Sequence, residues 1–315
     1  MRCIVTGATG FLGSFLAKRL VAEGHQVVCP VRKNIEIKGP VAVKEDFKSE
    51  KLFNDVSGSI DVFFNNIGQI SDNLSVKQLW EANVVLQEKL VEAAYRLGAK
   101  RYIHVSSTSA GGVDSRDYAK TEEDVCGSGL GYGDSKKEGE KLVLEKCKQL
   151  GMECVVLRPT LIYGKMKAGA IDKVLKVLKT PLRMIGNGKQ IWHMVHVDDV
   201  VQASILAATK PGIDGMVFNI AGPDPMPAAK VVEIACDFLK VKKTGLRVPT
   251  GLANAVGAFC ETFMKKKPPV TKFTCKLLTG SHEYDISKAK KYLGYEPKRF
   301  FDRELPSLFG ASQED

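Results

Sequence analysis

Thr6-Gly7-Ala8-Thr9-Gly10-Phe11-Leu12-Gly13 constrains this chain more than any other stretch. It follows the apolar run Cys3-Ile4-Val5, which reads as a buried strand. It leads into Phe11 to Glu23, where Leu12, Phe15, Leu16, Arg19 and Leu20 recur at helical spacing. Three glycines, three residues apart, between a strand and a helix make a geometry that holds a dinucleotide pyrophosphate. Gly7 permits the tight turn, Gly10 lets the backbone approach phosphate, and Gly13 lets the helix pack on the strand. The helix N-terminus then offers free N–H groups and a partial positive charge to the anion. Glycine triplets also occur in plain loops, and it is the strand–turn–helix context that selects the cofactor reading.

The length of 315 residues allows a large core, as one large domain or a domain with a smaller lobe. No apolar run reaches the ~20 residues of a membrane span, and the first strand leaves no room for a signal peptide, so a cytoplasmic protein is expected. The eight cysteines are scattered without a CxxC pair and read as reduced and buried. Five histidines without ligand-like grouping predict no metal; His193 and His196 are close, but in what reads as a strand or loop. The net charge of +10 gathers in Lys165, Lys167, Lys173, Lys176, Lys179, Arg183 and Lys189, and again in Lys265-Lys266-Lys267. A solvated surface accounts for it, as does an anionic substrate or an anionic membrane surface. Nucleic acid is not expected, because the basic segments lack interleaved aromatics.

Strand-like and helical segments alternate through the first half, which predicts a parallel sheet covered by helices on both faces. Gln26 to Arg32 reads as a second strand. NAD selection calls for a carboxylate about 20 residues after the glycine turn to hold the ribose 2′-OH. This chain instead places Arg32 and Lys33 there, with no acid before Glu36. Two cations attract a 2′-phosphate, so NADP(H) is favoured and NAD(H) is the alternative; stacking of Arg32 on the adenine would also account for it. Val41-Ala42-Val43 reads as a third strand followed by Asp46-Phe47, where Asp46 suits the adenine amino group or a turn equally. Ile60 to Phe64 reads as a fourth strand ending in Asn65-Asn66-Ile67-Gly68, a small polar turn able to lie against the cofactor. Ser75 to Leu97 reads as a long helix with Asn83 off its apolar stripe, either solvated or joined to a water chain. Arg101 to Ser106 is a fifth strand, and the turn Ser106-Ser107-Thr108-Ser109 follows at its carboxyl end, where open α/β sheets bind ligands.

Tyr132-Gly133-Asp134-Ser135-Lys136 opens a helix expected over Lys136 to Leu150, and four residues apart Tyr132 and Lys136 share a face if both are helical. A phenol of pKa ~10 is a poor base at neutral pH, and a neighbouring ammonium favours the phenolate. The pair therefore supplies proton transfer for an alcohol/carbonyl interconversion.

Thr6 to Gly13, Ser106-Ser107, Tyr132 with Lys136, Leu157-Arg158-Pro159-Thr160-Leu161-Ile162-Tyr163-Gly164, His196-Val197-Asp198-Asp199-Val200, Phe218-Asn219-Ile220-Ala221-Gly222 and Tyr284-Asp285-Ile286-Ser287 together resemble the extended short-chain dehydrogenase/reductase superfamily, also called the NAD-dependent epimerase/dehydratase family. The resemblance runs along nearly the whole chain. It implies an oxidoreductase with an α/β Rossmann-type doubly wound parallel sheet and a smaller C-terminal substrate-binding lobe. Residues 1–164, with returning segments 191–222 that would add late strands to the sheet near Val195 and Phe218, would form the NADP-binding core; residues 165–190 and 223–315 would form the lobe. It further implies that Ser107 positions the substrate oxygen with Thr108 and Ser109 beside it, that Tyr132 exchanges the proton, and that Lys136 holds the ribose and tunes the tyrosine. Asn83 would support the lysine through water, and Tyr163 and His196 would face substrate. Cofactor contacts would come from Thr6, Gly7, Thr9, Gly10, Phe11, Leu12 and Gly13, from Arg32, Lys33, Asp46 and Phe47, and from Asn66, Ile67 and Gly68. Val105, Ser106, Pro159, Thr160, Leu161 and Ile162 would complete them, along with Asn83, Tyr132 and Lys136 themselves.

Within the superfamily, nucleotide-sugar epimerases and dehydratases carry an asparagine where this chain has Leu161, which an apolar residue cannot replace. The C-terminal layout is similar to the 3β-hydroxysteroid dehydrogenase and dihydroflavonol reductase-like branch. The expected function is therefore NADP(H)-dependent interconversion of a secondary alcohol and a carbonyl on a hydrophobic small molecule of steroid or flavonoid type. A nucleotide-sugar epimerase or dehydratase with tightly held NAD(P), and a non-catalytic NADP sensor or scaffold, are the alternatives. Residues 246–264 read as a lid helix packed over the substrate cleft or, with Leu252, Val256, Phe259, Phe263 and Met264 beside Lys265 to Lys267, as an interfacial helix. The helices of Ser75–Leu97 and Tyr132 could also pair with a second copy as a homodimer.

Overall fold

A computed structural model describes all residues except 34–36, 38, 50–51, 70–73, 113–116, 125–130, 166–177, 180–181, 264–271 and 310–315. Glu36, Lys167, Lys173, Lys176, Met264 and Lys265 to Lys267 thus lie outside the described residues.

The sheet grows from short apolar strands, buried on both faces except at the edge, where β3 (Val41–Lys44) is half-buried to exposed. β1 (Arg2–Thr6), β2 (Gln26–Val31), β3 (Val41–Lys44), β4 (Val62–Asn65), β5 (Arg101–Val105), β6 (Glu153–Pro159) and β11 (Val217–Ile220) form one seven-stranded sheet in the order β11-β6-β5-β4-β1-β2-β3. Every pairing in it is parallel. The strand order reverses between β1 and β4, where Thr6 lies opposite Asn65. That switch point opens the crevice in which doubly wound sheets bind ligands.

Helices cover both faces. α1 (Phe11–Ala22) packs with α5 (Val197–Thr209) on one side, over a core containing Val5, Leu16, Leu20, Val200 and Phe218. On the other side α3 (Leu86–Arg96) packs on α4 (Gly131–Leu150), over a core containing Ile4, Phe63, Leu90, Tyr102 and Val143. Phe63 and Tyr102 stack with ring centroids 5.2 Å apart and planes 5° from parallel. A third core joins Tyr163, Met184, Met194, Val231, Phe301 and Leu305. It is built from β7 (Leu161–Tyr163), β8 (Leu182–Ile185), β10 (Met194–His196), α6 (Ala228–Leu239) and α9 (Phe301–Phe309). β9 (Ile191–Trp192) pairs antiparallel with β12 (Met226–Pro227), and β13 (Leu246–Val248) pairs parallel with β8. α7 (Thr250–Phe263) and α8 (Lys272–Thr279) pack on each other. None of the described helices is long and apolar enough to cross a membrane.

The structure departs from the sequence expectations in four places. The returning segment near Val195 does not extend the central sheet: β10 pairs with β7 in a separate two-stranded ladder, and only β11 joins the main sheet. The helix expected over Ser75 to Leu97 is interrupted. α2 (Val76–Trp80), capped by Ser75 in a reciprocal box with Gln78, passes into a π-turn over Glu81–Val85 before α3 begins. α4 starts at Gly131, so Tyr132 is already helical. α7, expected as a lid helix packed over the substrate cleft, leaves its apolar face bare: Leu252, Val256, Phe259 and Phe263 are all exposed.

Candidate active site

The glycine turn is built by close backbone approach. Gly7 has φ +67°, a left-handed conformation, and a Cβ there would stand 2.9 Å from the Asn66 carbonyl oxygen. A Cβ on Gly13 would collide with the Gly7 carbonyl, so α1 and β1 meet at a distance only glycine permits. The Gly10 N–H donates to Gly7 O at 2.8 Å and closes the turn. α1 then starts at Phe11 without a side-chain cap and without an acid in its first turn. Its first N–H groups and the positive end of its dipole are left to an anion at the switch point. Gly10 and Thr9 are exposed, Phe11 is half-buried, and Leu12 is buried beneath them. Thr6, fully buried, fixes the neighbouring turn: its hydroxyl donates to Asn65 Oδ1 at 3.0 Å and accepts from the Asn66 N–H at 3.2 Å.

Three described side chains at this edge have buried polar atoms with no protein partner: both amide atoms of Asn66, Ser106 Oγ and Thr160 Oγ1. They sit just past β4, β5 and β6 respectively. A buried polar atom left unpaired costs about 1–3 kcal/mol, so the trio, together with the glycine cradle and the uncapped helix, fits a nicotinamide dinucleotide. Arg32 and Lys33 follow β2 and are exposed. Asp46 is exposed, and its Oδ1 accepts from the Lys48 N–H at 3.0 Å, an Asx-turn contact. Phe47 packs edge-on against Phe53 at 6.0 Å.

Lys136 is buried, and its Nζ donates to the Val105 carbonyl at 3.4 Å, immediately before Ser106 and Ser107. A Cβ built on Gly68 would stand 2.5 Å from that Nζ and 3.3 Å from Asn83 Oδ1. The ammonium therefore occupies the notch left by the missing side chain. Burial pulls the lysine down to about 8, with the Glu140 carboxylate acting the other way. Tyr132, also buried, lies one turn before it on α4. α4 packs against the 3-10 turn Thr108–Gly111, which Ser107 caps by accepting the Ser109 N–H at 3.2 Å. Thr108 and Ser109 are buried, and the Thr108 hydroxyl reaches the Pro159 carbonyl at 3.5 Å. Leu161 and Ile162 are half-buried just beyond.

Asn83 is buried at the π-turn. Its Oδ1 accepts the Gln69 N–H at 2.9 Å; its Nδ2 donates to Gln69 O at 3.1 Å and to Ser135 Oγ at 3.0 Å. It thereby clamps the Gly68 loop to the helix that carries Tyr132 and Lys136. Gly139 makes the approach possible, since a Cβ there would collide with the Asn83 carbonyl.

Two networks of contacts were missed by sequence reasoning, although Asn65 and Arg158 stand in its motifs. Gln87, fully buried, donates to Ala82 O at 2.8 Å, a carbonyl in the π-turn, and to Ile67 O at 3.3 Å. Asn65 Nδ2 lies 2.5 Å from Gln87 Oε1, 2.8 Å from Tyr102 OH and 3.3 Å from His104 Nδ1. Burial and then the Lys136 charge pull His104 down to about 3, which leaves it neutral at physiological pH. The second group is Arg158, which donates to both oxygens of buried Glu140, at 2.7 Å from Nη2 to Oε2, and to the Glu122 carbonyl at 3.0 Å. Asparagine, glutamine and histidine carry no sequence mark that separates such a network from surface positions.

Tyr163 and His196 are not brought to the Ser107–Tyr132 turn by any described contact. Tyr163 is buried in the third core, donates its hydroxyl to Arg299 O at 3.1 Å, and packs edge-on against Phe301 and His196. His196 caps α5 by accepting the Asp198 N–H at 3.2 Å on Nδ1. Packing and capping occupy both. His193 bridges Gly222 O and the Tyr284 N–H, and the described residues hold no group of three or more metal-ligating side chains. An open polar cleft of about 630 Å³ lies between β8, β13 and the end of α8, lined by Lys189, Gln190, Arg247, Thr250, Thr279 and Ser281 among others; neither Ser107, Tyr132 nor Lys136 lines it.

A family model for the NAD dependent epimerase/dehydratase family matches residues 3–221. The chain is 24% identical to a 2-alkyl-3-oxoalkanoate reductase of Stenotrophomonas maltophilia, over 99% of each. It is 25% identical to a 4-hydroxy-2-methyl-3-oxo-4-farnesyl-3,4-dihydroquinoline-1-oxide ketoreductase of Stigmatella aurantiaca, covering 98% of this chain and 96% of that protein. It is 29% identical to a UDP-glucose 4-epimerase of Mycolicibacterium smegmatis, covering 95% and 94%. The fold matches a UDP-glucose 4-epimerase of Thermotoga maritima solved with UDP-glucose, at a TM-score of 0.79 and 21% identity over all of both chains. By the extent of that family match, the chain belongs to the NAD-dependent epimerase/dehydratase family of enzymes.

Proposed function

We propose that this protein is an NADP(H)-dependent ketoreductase that interconverts a carbonyl and a secondary alcohol on a large apolar molecule, with a 3-oxo acid or a related 3-oxo compound as the substrate class. The observation that carries the reading is the seat of Lys136: buried, held by Val105 O, and set in the Gly68–Asn83 notch one helical turn from Tyr132. Two relatives that the chain matches over nearly its full length are, by name, reductases of 3-oxo compounds bearing alkyl or farnesyl groups. They support an oxo substrate with an apolar body better than a steroid or flavonoid ring.

In this mechanism a bound nicotinamide dinucleotide supplies the hydride for reduction. Ser107 Oγ donates to the substrate oxygen and orients it. Tyr132 gives its phenolic proton to that oxygen as negative charge develops there, and takes it back in oxidation. The Lys136 ammonium lowers the cost of leaving a phenolate behind, because an adjacent positive charge favours the charged form. Asn83 keeps the Gly68 loop and the Tyr132 helix in register. Asn66, Ser106 and Thr160 would pair with the cofactor, and Arg32 with Lys33 would meet a 2′-phosphate. We assign residues 1–164 and 191–222 to the cofactor core, and 165–190 and 223–315 to substrate enclosure.

The second reading, a nucleotide-sugar epimerase, draws on the similarity to the Mycolicibacterium smegmatis epimerase. Net cofactor turnover separates the two. Absorbance of NADPH, with NADH in parallel, is followed against a 2-alkyl-3-oxoalkanoate, simple 3-oxo esters, a steroid ketone and UDP-glucose. Consumption of NADPH with the oxo compounds, lost by more than about a hundredfold in Tyr132→Phe while cofactor affinity stays within a few fold, is expected. Interconversion of UDP-sugars without net consumption would replace the reductase by the epimerase. Equal use of NADH would remove the 2′-phosphate role from Arg32 and Lys33.

A further inference from the structure

The polar cleft of about 630 Å³ between β8, β13 and the end of α8 takes no part in the proposed chemistry. Its described lining carries two cations, Lys189 from the turn after β8 and Arg247 from β13, and no acid. Both residues are exposed, and among the described residues neither is ion-paired. Gln190, in the same lining, is only 7% exposed. Its amide is locked: Nε2 donates to Ile185 O at 2.9 Å and to Leu278 O at 3.0 Å. With both N–H groups committed, Oε1 can only accept, and no described residue donates to it. It shares a gap with the Thr250 hydroxyl. A Cβ built on Gly186, which has φ +80°, would stand 3.0 Å from Thr250 Oγ1 and 3.7 Å from Gln190 Oε1.

These groups specify a ligand from two sides. Two cations without an acid favour a dianion, and a phosphate monoester carries about −1.5 to −2 charges at pH 7, where a carboxylate carries one. A fixed acceptor in a buried residue calls for a donor on the same molecule, a hydroxyl or an amide N–H, because leaving it unmet is costly. The volume falls within the roughly 300–1,000 Å³ of small-molecule sites, so the cleft admits an organic body beyond the phosphate group itself. An apolar oxo compound finds no match in a lining of lysine, arginine, glutamine and hydroxyls. The cleft therefore differs in chemistry, as well as in residues, from the turn that carries Ser107.

We propose that this cleft is a second ligand site, which takes a hydroxylated phosphate monoester through Lys189, Arg247 and Gln190. Ser107, Tyr132 and Lys136 do not line it, so binding there is read without turnover. Full-length protein saturated with NADP+, which fills the glycine turn, is titrated by calorimetry with glycerol 3-phosphate, ethyl phosphate and glycerol. Glycerol 3-phosphate is expected to bind at one site. Ethyl phosphate, equal in charge but without a hydroxyl, should bind at least about threefold more weakly, and glycerol not at all. Lys189→Ala with Arg247→Ala should lower the affinity for glycerol 3-phosphate at least about tenfold. The double variant should keep the melting temperature of the unliganded wild type, since both residues are exposed. Absence of wild-type binding overturns the proposal, as does binding that the double variant retains in full. Equal affinity for ethyl phosphate also overturns it, because Gln190 would then receive no donor from the ligand.

Discussion

Lys136 is the residue whose environment decides most. Its ammonium sits in a notch between Gly68, Asn83 and Val105 O, and burial pulls it down to about 8 from 10.5. Below pH 8 the lysine is protonated in both folded and unfolded states, and the folded state bears the desolvation cost in full. Between the folded value and 10.5 the unfolded chain holds a proton that the folded chain has released, so stability rises with pH across that window and levels off above it. Lys136→Met removes the titrating group while keeping the volume. Its stability should exceed that of the wild type at pH 7 by up to about 3 kcal/mol, and the difference should vanish by about pH 10.5. Urea unfolding of both proteins from pH 7 to 10.5 checks this; parallel pH profiles would mean that the ammonium is solvated.

At the scale of the element, the π-turn over Glu81–Val85 is the device that matters. An extra residue in the turn rotates Asn83 toward Ser135 and Gln69, and the Gln87 amide takes up the Ala82 carbonyl. Gln87→Leu keeps the size and removes that tie. It should lower kcat about tenfold to a hundredfold through misplacement of the Gly68 loop, with the KM for cofactor little changed, and Asn83→Ala should resemble it. A Gln87→Leu enzyme with normal kcat would show that the turn holds without the amide. The glycine turn and the Tyr132–Lys136 pair were legible in the sequence because each is local, a spacing of three or four residues along one element. The π-turn was not, because the apolar stripe of Leu79, Ala82, Leu86 and Leu90 reads as an ordinary helix whether or not a residue is added. The cluster of Asn65, Gln87, Tyr102 and His104 joins two strands and a helix and exists only once the sheet has assembled. Tyr163 and His196 follow motif positions that suit substrate or packing alike, and only burial shows that they cap and pack.

Across the whole molecule, the pair Arg158–Glu140 ties β6 to α4, and Arg158 Nη1 extends the tie to the Glu122 carbonyl. Glu122 in turn accepts the Asn219 N–H of β11 at 2.7 Å, and Lys120 pairs with Glu283 and Asp285 through the backbone. One short segment thus sutures the last sheet strand to the C-terminal region. Arg158→Met leaves Glu140 buried without its partner and should cost about 3–5 kcal/mol; Arg158→Met with Glu140→Leu should recover most of it, as paired replacement of a buried ion pair usually does. Urea midpoints of the two single variants and the double variant test this, and simple additivity would show that the pair is not coupled.

The partnership of α1 with α5 has a consequence for synthesis. The helix that follows the glycine turn leaves the ribosome well before the surface that buries Leu16 and Leu20, which includes Val200 and Val201 some 180 residues later in the chain. Until then the nascent chain carries a bare hydrophobic flank, and β11, which completes the sheet edge, comes later still. Contacts of such sequence separation form slowly and leave aggregation-prone intermediates. The dinucleotide cradle is therefore begun long before it is finished, and in that interval its helix is a natural client for a chaperone.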